Sequence, residues 1–69
     1  SNIAEGYARK TIKETKRFLD IARSSIVEID TQIIICINLG YVKENEISDL
    51  SELINHTFAL LTQLMKSIK

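Results

Sequence analysis

Six basic side chains crowd the first third of the chain: Arg9, Lys10, Lys13, Lys16, Arg17 and Arg23. Lys and Arg neutralise phosphates, so the cluster points first to backbone contacts with nucleic acid, RNA or DNA. The plainer alternative is a solvated helix face with local ion pairs to Glu14 and Asp20. Nine Lys and Arg oppose nine Asp and Glu, a formal net charge of zero. That balance favours the plainer reading, because dedicated nucleic-acid binders are usually basic. The distribution favours phosphate. Residues 1–23 hold six basic and three acidic side chains, a balance of +3, and residues 24–69 hold three and six, a balance of −3. In such a chain the asymmetry matters more than the sum.

The other reactive residue types are sparse. Catalysis needs a base, a nucleophile and an orienting group within reach. Asn2 and Glu5 offer a single carboxylate, and a helix-end hydrogen bond or an inter-subunit ion pair is the expected role. Glu28 lies at the edge of an apolar stripe, where an interhelical salt bridge or polar clamp with an arginine is expected. With one cysteine, Cys36, and one histidine, His56, neither an intrachain disulfide nor a Cys/His metal site can be assembled. Cys36 falls in the stripe and reads as a small hydrophobe. His56 falls on the polar side of its helix and reads as solvated. Helical di-iron sites use Glu-x-x-His pairs, but Leu53 stands three residues before His56. Met65 and Phe58 read as core or interface. The expectation is a protein that is not an enzyme, with no cofactor and no metal.

The elements that carry these residues are helical. Ile and Leu dominate an apolar content of 45%; proline is absent, and the two glycines are Gly6 and Gly40. A sandwich or barrel would need more frequent turn signals. Residues 2–8 read as the end of one helix, placed at residues 1–10, whose beginning is expected upstream. Thr11-Ile12-Lys13-Glu14 fits a capping box, which puts the next helix start near Ile12. Gly40 marks its end, so this helix is placed at residues 12–39, about 42 Å long at 1.5 Å per residue. Phe18, Leu19, Ala22, Ser25, Ile26, Ile29, Ile33, Cys36 and Ile37 fall in one stripe, with Lys13, Lys16, Arg17 and Arg23 assigned to the opposite side. Farther along, Ile33, Ile34, Ile35 and Ile37 point all round the helix. A helix apolar on every side is buried on every side, so these four are the candidate oligomer interface. A short turn follows, then a last helix at residues 44–68, with acidic residues in its first turns and Lys66 and Lys69 in its last, as the helix dipole prefers.

Two such helices in a single 69-residue domain form an antiparallel αα-hairpin whose apolar arcs are wider than one helix–helix interface. Leaving them in water costs several kcal/mol at about 25 cal/mol per Å², comparable with the whole stability of a small domain. Further helices are therefore expected, from a preceding part of the chain, from other subunits, or from both. No apolar run approaches the length of a membrane span. The lone free cysteine and the lack of an export signal point to the cytoplasm.

Ser-Asn-Ile-Ala-Glu-Gly-Tyr at residues 1–7, the following Arg9-Lys10, and Phe18-Leu19-Asp20-Ile21-Ala22-Arg23-Ser24-Ser25 with Glu28 resemble the four-helix bundle family of 23S ribosomal RNA intervening-sequence proteins. The resemblance covers the whole chain. It implies an all-α, antiparallel up-and-down four-helix bundle, with residues 1–10 ending helix two and the two long segments as helices three and four. It also implies a homopentamer. A related accessory protein of diversity-generating retroelements binds nucleic acid and a reverse transcriptase, so a homo-oligomeric scaffold with nucleic acid or a partner protein as ligand is the functional expectation. The alternative is a protein-docking module, for instance on a polymerase, with no nucleic-acid contact.

Overall fold

The structure, a computed structural model, describes residues 1–68. It is an antiparallel hairpin of two helices, α1 (Asn2–Asn38) and α2 (Ser48–Ser67), with one 3-10 turn, Glu44–Glu46, between them. Among the described residues there is no strand.

The helix of residues 1–10 and the helix of residues 12–39 are one. α1 runs unbroken for 37 residues. Ser1 caps it, its side-chain oxygen accepting from the Ala4 backbone N–H at 3.2 Å, and Glu5 sits in the first turn where the helix dipole favours an anion. The capping box at Thr11 does not form. The Thr11 hydroxyl instead donates to the Tyr7 carbonyl at 3.0 Å, the back-bond of a threonine inside a helix. Thr-x-x-Glu caps a helix only where the chain leaves helical dihedrals, and with no proline nearby nothing forces it to. Gly6 is tolerated at about 1 kcal/mol relative to alanine.

The end of α1 follows expectation closely. Gly40 has φ +79°, its N–H bonds the Ile37 carbonyl at 3.0 Å, and the Tyr41 N–H bonds the Cys36 carbonyl at 2.9 Å. This pair of bonds is a Schellman motif, with glycine in the left-handed position it requires. The last helix begins later than residue 44. Ile47, at φ −121° and ψ 12°, separates the 3-10 turn from α2.

Half-buried residues trace the seam. Along α1 they include Leu19, Ala22, Ile26, Ile33 and Ile37, and beyond the turn Ile47 just before α2 and Leu61 and Met65 along it, at the alternating three- and four-residue spacing of coiled-coil packing. Among the described residues only Ile54 is fully buried, at 6% exposure. The molecule is long and thin, 59 × 17 × 11 Å, with a radius of gyration of 17.0 Å against about 11 Å for a compact chain of this length. At 1.5 Å per residue α1 is about 25 Å longer than α2, and the surplus is its N-terminal end. From residue 1 to residue 18 every residue is exposed except Ile12, which is half-buried.

Candidate nucleic-acid interface and the unpartnered apolar face

Five of the six basic candidates lie on the extension of α1. Arg9, Lys10, Lys13, Lys16 and Arg17 are all exposed. At 3.6 residues per turn, Arg9, Lys13 and Lys16 line one side of the helix across a rise of about 10 Å, and Lys10 and Arg17 stand about a quarter-turn farther round. Arg9 reaches the Glu5 carboxylate at 3.9 Å with both side chains largely exposed, a contact worth little in water. A rigid helix that presents several cations on one side can neutralise several phosphates together.

Arg23 does something else. Its guanidinium donates to the Thr62 hydroxyl at 3.3 Å and to the Asp20 carboxylate at 3.2 Å, and it lies over the Phe58 ring. Its side chain is 30% exposed. Arg23 is thus a tie between α1 and α2, not a member of the free basic stripe. The sequence held the signal, because Arg23 stands about 60° round the helix from Ile26 at 100° per residue, on the margin of the seam.

The four candidate interface isoleucines divide. Ile33 and Ile37 are half-buried on the seam, beside Cys36. Ile34 and Ile35 are exposed at 50% and 49% and point to two other sides. Glu28 is exposed and makes no ion pair among the described residues, so the expected interhelical clamp does not form within the hairpin. The clamp goes to Arg23 and Thr62 instead. His56 is exposed, and among the described residues no cluster of His, Cys, Asp and Glu could hold a metal ion.

The two long sides of the hairpin differ in chemistry. On one, Ile26, Val27, Asp30, Ile54, Asn55 and Phe58 line an open cleft of about 210 Å³, smaller than the roughly 300–1,000 Å³ of small-molecule pockets. Arg23 and Thr62 meet on this same side. On the other, α1 presents Phe18, Ile21 and Ile29 and α2 presents Leu53, Leu60 and Leu64, all six between 44% and 72% exposed. In an antiparallel pair, flanks that adjoin on one side leave the opposite flanks adjoining too. These six side chains therefore share one side of the hairpin, with Ser25 and Thr57 among them. Sequence reasoning found excess apolar width on each helix, but which flanks share a side follows from the packing. The basic line Arg9–Lys13–Lys16 lies on the other side of α1 from this face.

No described helix is long and apolar enough to cross a membrane. The arrangement defines an all-helical hairpin with one unpartnered apolar face and a basic helical extension. The chain matches the 23S rRNA-intervening sequence protein family over residues 1–63 and belongs to that family. No match was found among curated proteins or among solved structures.

Proposed function

We propose that the hairpin is half of a four-helix bundle, and that the protein is a non-catalytic, self-associating helical scaffold that binds nucleic acid through the extension of α1. The observation that carries this reading is the division of labour around one helix. One flank of α1 is an exposed apolar face that needs a helical partner, and the other presents Arg9, Lys13 and Lys16, of which Arg9 has the Glu5 carboxylate within 3.9 Å. The apolar face accounts for association, since monomers rarely leave a large contiguous patch in water. The basic line accounts for phosphate. Lys10 and Arg17 extend it round the helix, whereas Arg23, tied to Thr62 and Asp20, supports the hairpin.

Fluorescence anisotropy with labelled RNA and DNA duplexes and single strands, at low and moderate salt, tests the nucleic-acid half. Binding that weakens steeply with salt and with replacement of Arg9, Lys13 and Lys16 by alanine is expected. No binding at low salt by the associated protein removes this half. A second reading, a module that docks a partner protein without touching nucleic acid, is favoured by the zero net charge. It predicts that reversing the charge of the basic line leaves protein capture unchanged.

A further inference from the structure

We propose that the nucleic acid taken by α1 is double-stranded DNA, entered at the major groove by the extension of α1, with cations on both edges of one helical arc reaching the phosphates of both strands. This rests on the phosphate-binding reading above and names its substrate class.

The first argument is the placement of charge. At 100° per residue the five exposed cations of the extension occupy one arc of about 120°. Arg9 and Lys16 stand at one edge, Lys10 and Arg17 at the other, and Lys13 between them. Glu5 and Glu14 fall outside the arc. Glu5 is just past one edge, and its exposed contact with Arg9 at 3.9 Å is weak enough for a phosphate to replace. A single strand, or the outer surface of a duplex, offers one backbone to a helix lying along it, and a narrow line of cations would suffice. A groove offers a backbone on each side, which is what an arc with two charged edges suits.

The second is size. Residues 2–17 form a helical rod about 24 Å long and about 10–12 Å across with its side chains, and all of them but Ile12 are exposed. The major groove of B-form DNA is about 12 Å wide and admits an α-helix. The major groove of A-form RNA is deep and narrow and does not. The centre of the arc stands about 130° round the helix from the seam residues Leu19 and Ile26, so the arc points away from α2 and the hairpin does not obstruct the approach.

The third is Gly6, which lies on the midline of the arc with Asn2 and Lys13. A glycine inside a helix costs stability relative to alanine, and nothing within the hairpin demands one here. Its φ is not positive, and an added Cβ would meet nothing within 4 Å among the described residues. A glycine in such a place suits the close approach of another molecule to the backbone. On this midline it lets the helix sink toward the floor of the groove, where a side chain would hold it off.

Fluorescence anisotropy of the full chain over a range of salt, with one sequence supplied as DNA duplex, RNA duplex and DNA single strand, tests the proposal. The DNA duplex is expected to bind at least about tenfold more tightly than the other two. The slope of log affinity against log salt is expected to be about −4.5, from five phosphates at about 0.9 each. Lys10→Ala with Arg17→Ala, and Arg9→Ala with Lys16→Ala, each reduce that slope by about two. Gly6→Leu is expected to raise the helix content seen by circular dichroism and yet to weaken DNA-duplex binding about tenfold. Equal affinity for the two duplexes, a preference for the single strand, a slope unmoved by loss of Lys10 and Arg17, or tighter binding by Gly6→Leu overturns the groove and leaves phosphate binding standing. No binding to any of the three at low salt overturns both.

Discussion

The guanidinium carbon of Arg23 lies 5.6 Å from the centre of the Phe58 ring, and the same guanidinium bonds Thr62, one helical turn farther along α2. One side chain from the middle of α1 thereby grips two successive turns of α2. In a hairpin with a single fully buried residue among those described, Ile54, such a tie is a large share of what fixes the helices against each other. Arg23→Ala is expected to lower the stability of the hairpin by about 1 kcal/mol, read as a lower urea midpoint. Arg23→Lys keeps the charge but not the planar fork that reaches Asp20 and Thr62 together, so it recovers only part of the loss. An unchanged midpoint for Arg23→Ala would mean that the tie is energetically idle.

The two glycines are expected to respond in opposite directions to the same change. A Cβ at Gly6 meets nothing within 4 Å, and the residue is helical, so Gly6→Ala gains about 0.5–1 kcal/mol of helix stability. A Cβ at Gly40 also has open space, but φ is +79°. Gly40→Ala costs about 1–2 kcal/mol from the left-handed backbone alone. Thermal melts followed at 222 nm separate the two, and a stabilised Gly40→Ala would contradict the Schellman ending of α1.

Phosphate binding has a signature that packing cannot mimic. Each of Arg9, Lys13 and Lys16 changed to alanine is expected to reduce the slope of log affinity against log salt by about one and to weaken binding evenly across sequences. Arg23→Ala is expected to leave the slope unchanged, because its guanidinium is already engaged by Asp20, Thr62 and Phe58. An equal slope change for Arg23 would return it to the basic stripe.

The extension of α1 makes a prediction about local stability. Most of its residues have no packing partner in the hairpin, and isolated helices of about 12–15 residues are marginal in water. Backbone amides of residues 2–17 are expected to exchange with solvent faster than those of residues 50–65 in dilute protein, and to become protected as concentration rises. Equal protection at low concentration would show that the extension is stable alone.

What could be read from residue order was whatever depends on local geometry. The heptad spacing of Leu19, Ile26 and Ile33 fixes the seam, and Gly40 fixes the end of α1, because one backbone conformation there suits glycine and little else. The Thr11–Glu14 box misled for the complementary reason. The same four residues serve inside a helix, and whether the chain breaks there is decided by the dihedrals of its neighbours. Arg23 was assigned by charge when its angle on the helix placed it at the seam. Glu28 reads as an interhelical clamp, but within the hairpin the arginine beside the seam bonds threonine and aspartate. The apolar face could not be read at all from either helix alone, since it exists only once the antiparallel packing sets Phe18 and Ile21 on the same side as Leu60 and Leu64.

The extra length of α1 also bears on when the chain is fully folded. A segment that pays its ordering entropy only against a neighbour is structured in proportion to how often a neighbour is present. The basic line Arg9–Lys13–Lys16 sits on that segment. The stretch that would hold phosphate is then rigid in a crowded population and frayed in a sparse one, so that abundance itself sets how many chains are ready to bind.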